Sequence, residues 1–395
     1  MDRYAGERIR GWGTSVFSEM SRLAREHQAV NLGQGFPDFA GPQLVKDAAK
    51  RAIDADMNQY APSHGTARLR EAIAADWLSR TGRQIDPERE VTVTSGATEA
   101  VFDAIQAFIE PGSEIISFEP FYDSDLPSAV LAGAKLVPVT LRPPDWHIDL
   151  DELRSAFTPR TRALILNTPH NPTGQVVNGA ELQVIADLAI AHDIVVITDE
   201  VYDRIVYPGH EHRSLAMLPG MWERTLTLNS TGKTFSMTGW TLGFAVGHST
   251  LNSAIRAVHQ LVTFDSATPF PDAMGVAMEH AAHDGYYDQL RRDYDHRRET
   301  MKSALDEAGL PTLPIGGSYF LMADITGLGF EDDVAFCRWL TAEAGAAVVP
   351  PSAFYADKAR APMLARFCFA KKPETLALAA ERLAGVRERA LSRRV

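Results

Sequence analysis

The chain has only two cysteines among 395 residues, Cys337 and Cys368, far apart and outside any CxxC or Cys/His cluster. That excludes a disulfide framework and argues against a zinc site, so two buried free thiols and no metal are the expectation. No run of about 18 uninterrupted apolar residues occurs, and the opening MDRYAGERIRGWG lacks the apolar stretch of a secretory leader. A cytoplasmic chain without a membrane segment is expected. Clustered Lys and Arg are missing as well: 39 basic side chains face 51 acidic ones, a formal net charge of −12. A nucleic-acid surface needs the opposite balance, which leaves small molecules as the expected partners. Tandem repeats and low-complexity tracts are absent too.

What is present is ordinary for a globular protein, 45% hydrophobic and 23% charged, with a length that suggests about two or three structural units. From about residue 90, short β-rich runs alternate with longer helical ones. The runs are VTVT (91–94), EIISF (114–118), KLVPV (135–139), ALILN (163–167), IVVIT (194–198), TLTLN (225–229) and GFAVG (243–247). Helices are predicted between them, at 98–109 with Thr98 as N-cap and at 179–192, where apolar residues recur at helical spacing. This is the pattern of parallel strands joined by crossover helices, a doubly wound α/β domain whose sites gather at the carboxyl ends of the strands. Residues 286–309 read as a charged amphipathic helix ended by Gly309 and Pro311, and SYFLMADI, AAVVPP and ARFCFA as strands of a smaller α+β domain. Gly33, Gly35 and Pro37 in AVNLGQGFPDF predict an irregular arm that brings backbone near a ligand. The expected division is 1–45 as arm and part of the small domain, 46–285 as the large domain and 286–395 as the small domain.

A single lysine, Lys233, sits in NSTGKTFSMTGWTLGF (229–244) directly after an apolar strand. The phosphate loop of nucleotide hydrolases, G-x-x-x-x-G-K-[ST], is one textual match, but its first glycine would fall at 227, which is Thr227, and the strand ending in Asp199 precedes the loop instead of following it. A larger ordered set accounts for the loop better. NQYAPSHGTARLREAIA (58–74), TSGATEA (94–100), EPFYD (119–123), NTPHNPTG (167–174), DEVYD (199–203), the lysine loop and RFCFA (366–370) follow one another along the chain. In this order they resemble the class I/II aminotransferases, fold type I enzymes dependent on pyridoxal 5'-phosphate. NLGQGFPDF (31–39) is similar to the branch holding kynurenine, methionine and N-succinyldiaminopimelate aminotransferases.

The resemblance implies a large domain with a mostly parallel mixed sheet between helices, a smaller α+β domain, and a homodimer with shared sites. It implies Lys233 as the Schiff-base lysine and proton carrier, and Asp199 as the acid that keeps the pyridine nitrogen protonated. Asn171 and Tyr202 would bond the ring oxygen and Tyr122 would stack on the ring. Gly96, Ala97 and Thr98, at a strand-to-helix junction, would cradle the phosphate with Ser230, and Tyr60 would reach it from the neighbouring subunit. Arg366 would clamp the substrate carboxylate with help from the Gly35 backbone, and Phe17 hints at a large or apolar substrate side chain. The implied activity is ping-pong transfer of an amino group from an L-amino acid to a 2-oxo acid.

One position departs from the family pattern. Eight residues after the lysine the family normally has Arg or Lys paired with the phosphate, and here stands Thr241. A neutral hydroxyl lacks the charge-assisted bonds of a cation, so looser cofactor binding or a compensating cation is expected. The departure keeps open another reaction of the same scaffold, such as β-elimination, oxidative deamination or cyclisation. A non-catalytic regulator is the remaining alternative, though the chain begins too near NLGQGFPDF to hold an added DNA-binding segment.

Overall fold

The computed structural model describes residues 4, 6–10 and 16–393. Among the described residues eleven strands form three sheets. β1 (Val30–Asn31) pairs in parallel with β10 (Ala346–Ala347), and β9 (Phe320–Asp324) pairs antiparallel with β11 (Leu364–Cys368). The other seven build the central sheet: β2 (Val91–Thr94), β3 (Glu114–Glu119), β4 (Lys135–Thr140), β5 (Thr161–Asn167), β6 (Val195–Asp199), β7 (Thr225–Ser230) and β8 (Gly243–Gly247), in the order β2-β8-β7-β6-β5-β3-β4. Only β8 runs against its neighbours. The sheet is therefore mostly parallel and mixed, as the resemblance implies; the alternating pattern alone, read as parallel strands throughout, misses β8, which returns from the lysine loop without the long crossover helix that a parallel connection requires.

The near-continuous apolar runs follow from this architecture. Every residue of β2, β3 and β8 is buried, as expected for strands covered by helices on both faces. The helix Gly179–Ala191 starts on a capping box between Asn178 and Glu181, which satisfies amide donors the helix cannot pair internally. The helix Ala97–Phe108 starts differently from the sequence expectation. Gly96, at φ 86, is its N-cap, and Thr98 stands inside the first turn. A glycine takes that backbone angle without a Cβ penalty, so the cap is set by backbone freedom here and no hydroxyl is required. AAVVPP supplies only the two-residue β10, because Pro350 and Pro351 cannot extend the ladder and a 3-10 turn follows at Pro351–Phe354.

The arm is held against the C-terminal part of the chain. Cys368 donates from its backbone N–H to the Leu32 carbonyl at 2.7 Å, Lys371 Nζ to the Phe36 carbonyl at 2.9 Å, and the Lys372 N–H to Asp38 Oδ1 at 2.6 Å. The long helix Tyr286–Glu307 buries Leu290, Tyr294, Met301 and Leu305 in the same core as β9 and β11. Cys337 and Cys368 are both buried and unpaired. No helix among the described residues is long and apolar enough to cross a membrane.

β2, β3, β5, β6 and β7 all end at one edge of the sheet, and β8 begins there, so the loops that carry the candidate residues open on a common face. Close backbone approach at that edge depends on glycine: a Cβ at Gly243 would lie 2.3 Å from the Gly96 carbonyl carbon. Gly243→Ala is expected to cost roughly 1–3 kcal/mol by overpacking, read as a lower Tm. Gly239→Ala, where nothing lies within 4 Å of an added Cβ, serves as the near-neutral control.

Candidate active site

The edge loops, the arm and β11 enclose a cavity of about 340 Å³. It is lined by Phe17, Gly35, Gly96, Ala97, Thr98, Tyr122, Asn171, Asp199, Tyr202, Ser230, Lys233, Thr241 and Arg366, so all but one of the singled-out residues meet here. Tyr60 is the exception. It is 81% exposed and packs edge-on against Phe264 at 5.2 Å, away from the cavity.

One end of the cavity is an anion cup. The first N–H groups of the Ala97–Phe108 helix have no partner within the helix and face outward beside Gly96, where partial positive charge accumulates. Ser230, Thr238 and Thr241 line the cavity with it. Ser230 Oγ accepts from the Gly232 N–H and donates to the Leu242 carbonyl, each at 3.2 Å. Thr241 has φ 48 and ψ 44, a left-handed conformation that costs a β-branched residue roughly 1–3 kcal/mol. Among the described residues the only cationic side chains lining the cavity are Lys233 and Arg366.

Lys233 rides on the one-turn helix Thr231–Thr234 that closes β7. Its Nζ is 3.5 Å from the Gly35 carbonyl and about equally far from the Tyr202 and Tyr319 ring centres, at 5.8 and 5.9 Å. Burial lowers the pKa of this amine, while the nearby Asp199 charge pulls the other way. Asp199 ends β6, and its Oδ1 accepts from the Val201 N–H at 3.2 Å. Burial pushes its carboxyl up to about 6, against the lowering effects of that bond and of Lys233. Burial also raises the phenol of Tyr122, to about 12, and that of Tyr202. Burial thus biases the amine, the acid and the phenols alike toward their uncharged forms.

Arg366 is 1% exposed in the middle of β11. Its Nη1 donates to Asn171 Oδ1 at 2.9 Å and its Nη2 to the Gly33 carbonyl at 2.7 Å, leaving Nε without a hydrogen-bond partner. The rings of Phe320, Phe354 and Phe17 surround the guanidinium at 4.2, 5.1 and 5.2 Å. Asn171 is fixed in turn by Asn167, whose Oδ1 accepts the Asn171 N–H at 2.7 Å and whose Nδ2 donates to the Asp199 carbonyl at 2.9 Å. Asn167, Thr238 and Phe320 line the cavity but were not singled out from the sequence. Asn167 opens the NTPHNPTG motif and Thr238 opens TGW, so both stood inside quoted motifs, and only their side-chain directions were missing.

An amine, an acid, an anion cup and a guanidinium around one partly apolar cavity suit a ligand with a carbonyl, a protonated ring nitrogen and an anionic arm, beside a second ligand with a carboxylate. The comparisons with known proteins agree. The family model "Aminotransferase class I and II" matches residues 27–383. A Mycobacterium tuberculosis protein named probable N-succinyldiaminopimelate aminotransferase is 44% identical over 97% of this chain and 98% of its own. The methionine aminotransferase of Escherichia coli is 42% identical over 94% and 95%. Among solved structures, the N-succinyldiaminopimelate aminotransferase from Mycobacterium tuberculosis superposes with a TM-score of 0.93, at 44% identity over 97% of this chain and 100% of that one.

Proposed function

Because the chain belongs to the class I and II aminotransferases, which move amino groups between amino acids and 2-oxo acids, we propose that it does so with pyridoxal 5'-phosphate in this cavity and with the residue roles that follow. The observation that carries the reading is the convergence of Lys233, Asp199 and Arg366 on one cavity beside the cup at Gly96. The residues fit the cofactor on physical grounds. Burial holds the Asp199 carboxyl up at about 6, and a protonated ring nitrogen would be a charge partner for it. Nothing in the comparisons favours the alternative reactions, and amino-group transfer is the activity assigned.

When bound, pyridoxal phosphate supplies an aldehyde that condenses with amines and a ring that takes up the electron pair released at Cα. Asp199 would hold the ring nitrogen protonated, Asn171 and Tyr202 would bond the ring oxygen, and Tyr122 would cover one face. Gly96, Ala97, Thr98 and Ser230 would receive the phosphate. Lys233 would hold the aldehyde carbon and would serve as the proton carrier at the substrate Cα; burial lowers its pKa, the direction that suits a base. Arg366 would orient the substrate carboxylate through its unpaired Nε and the outer N–H groups, while Phe320 and Phe354 exclude water around it. The same residues run the return half with a 2-oxo acid, which gives ping-pong kinetics.

Phe17, Phe36, Val201 and Phe320 line the cavity and support a large or apolar substrate side chain. Residues 46–285 would form the cofactor-carrying domain, with 1–45 and 286–395 as the unit that bears Arg366. The exposed Tyr60 supports a homodimer in which this phenol reaches the partner's cup. Two unpaired buried thiols are consistent with a reducing, cytoplasmic setting.

The test of the whole reading is an amino-acid panel with several 2-oxo acids, products identified by mass, on wild type and Lys233→Ala. Wild type should transaminate, and borohydride reduction should leave the cofactor's mass on the Lys233 peptide. Lys233→Ala should lose turnover by about 10²–10⁴ or more and retain no such adduct; a wild-type rate would remove Lys233 from its role.

Asp199 gives a pH signature. Its carboxyl must be ionised to pair with the ring, and in the free protein it takes up a proton as pH falls through about 6. Cofactor affinity should therefore be full above that point and weaken below it. In Asp199→Asn, affinity should be lower by about tenfold or more and flat across the same window, as followed by fluorescence titration. Thr241 gives another signature. Thr241→Arg should slow cofactor loss during dialysis by supplying the cation that the cup lacks, with transamination kept; unchanged retention would mean that this side chain does not address the phosphate.

A further inference from the structure

Behind the anion cup, and outside the cavity, three side chains converge on one point. Glu99 and Asp103 are four residues apart on the helix Ala97–Phe108 and so share a face, and His259 comes from the helix Ser249–Val262 packed across it. Each offers one ligand atom, and the three atoms lie within 4.8 Å of one another. His259 Nδ1 is 2.9 Å from Glu99 Oε1 and 3.8 Å from Asp103 Oδ2. Asp103 and His259 are 0% exposed.

Hydrogen accounting leaves Asp103 without a donor among the described residues. His259 Nε2 is 2.7 Å from the Ser63 carbonyl, which can only accept, so Nε2 carries a hydrogen. In the neutral ring Nδ1 then presents a lone pair to two carboxylates. A proton on Nδ1 would satisfy Glu99 alone. Both Asp103 oxygens are buried with no hydrogen-bond partner among the described residues, a state that costs kilocalories if left uncompensated. A metal ion would resolve all three at once. The spacings of 2.9 and 3.8 Å bracket the ~3.3 Å between neighbouring ligands at ~2.0–2.1 Å from a tetrahedral ion. An imidazole whose far N–H is held by a carbonyl is the usual orientation of a metal-bound histidine.

We infer that Glu99, Asp103 and His259 form a binding site for a divalent cation of the zinc class. The Thr263 hydroxyl, hydrogen-bonded to Glu99 Oε1, stands ready as a fourth donor. One nitrogen with oxygen donors, on three buried residues, suits Zn²⁺ better than Mg²⁺, which keeps several waters in an octahedral shell. The site ties the cup-bearing helix to the Ser249–Val262 helix. Glu99 Oε2 accepts the Ser95 N–H, so the ion would also place positive charge one residue from a cup that, among the described residues, has no cationic side chain of its own. The inference does not depend on the aminotransfer reading, and its test reads metal rather than turnover.

The test uses the cofactor-loaded protein after chelator treatment and dialysis. It is titrated with ZnCl₂ and, separately, MgCl₂, with bound metal measured by elemental mass spectrometry and stability by thermal unfolding. One equivalent of zinc per chain and a zinc-dependent rise in Tm are expected, with a far smaller response to magnesium. Asp103→Ala removes the unpaired oxygens and is expected to fold without zinc, to bind it at least about tenfold more weakly, and to show no zinc-dependent Tm. Asp103→Asn, which keeps the shape, should lose zinc likewise. Wild type that takes up no stoichiometric zinc, or variants that bind zinc as wild type does, would overturn the site and leave a buried proton or water among these three residues as the explanation.

Discussion

The Arg366 guanidinium joins three parts of the chain that are far apart in sequence. Its bonds to Asn171 and to the Gly33 carbonyl connect β11, the loop after β5 and the N-terminal arm at one buried point. A buried cation with only part of its donor set satisfied is expensive unless its surroundings are rigid. Here three aromatic rings pack around it and Asn167 locks the Asn171 backbone. The geometry of the cavity follows from that constraint, because the arm, the sheet edge and the C-terminal strands cannot shift independently without unpairing the guanidinium. Arg366 lines a cavity in which a carboxylate would be the natural complement of a guanidinium with donors to spare.

The other end of the cavity obeys the opposite logic. Lys233 and Asp199 are each pushed toward neutrality by burial, and each partly restores the other's charge. Such a pair is poised, since a ligand with a protonated ring and a reactive carbonyl can take over both partnerships. The phosphate cup has no comparable charged pair. It offers helix amides and hydroxyls, together with a threonine in the left-handed region. The site thus combines strong charge recognition at the carboxylate end with dipole recognition at the phosphate end.

How much of this was legible in the sequence depends on the range of the interaction. The strands were readable because burial on both faces leaves uninterrupted apolar runs, and the lysine loop, DEVYD and NPTG were readable as local motifs. Their convergence followed from the rule that such loops share the carboxyl edge of the sheet. The reversed direction of β8 was not readable, because an apolar run carries no sign of its direction. The N-cap at Gly96 was missed because a hydroxyl residue stood nearby and propensity favoured it over a glycine whose backbone angle only the fold reveals. Tyr60 lies far from its own chain's cavity, so its sequence motif and its position in one chain point in different directions.

Glu99, Asp103 and His259 show the limit most sharply. Glu99 reads in TSGATEA as a first-turn acid suited to a helix start, Asp103 as a polar position on an amphipathic helix, and His259 as one histidine among twelve. The separation of 160 residues between Glu99 and His259 hides their pairing. Once the helices pack, Asp103 becomes the residue that ordinary folding logic does not account for. Most buried carboxylates in this chain have identifiable donors: Glu119 takes the Thr140 hydroxyl, Glu200 takes His212 and Ser214, and Asp333 takes Ser352. Asp103 alone among the buried acids named here has both oxygens unpartnered. Asp103 stands beside a Glu99–His259 pair that gives it no hydrogen bond, and a cation shared by all three would close that gap beneath the cup.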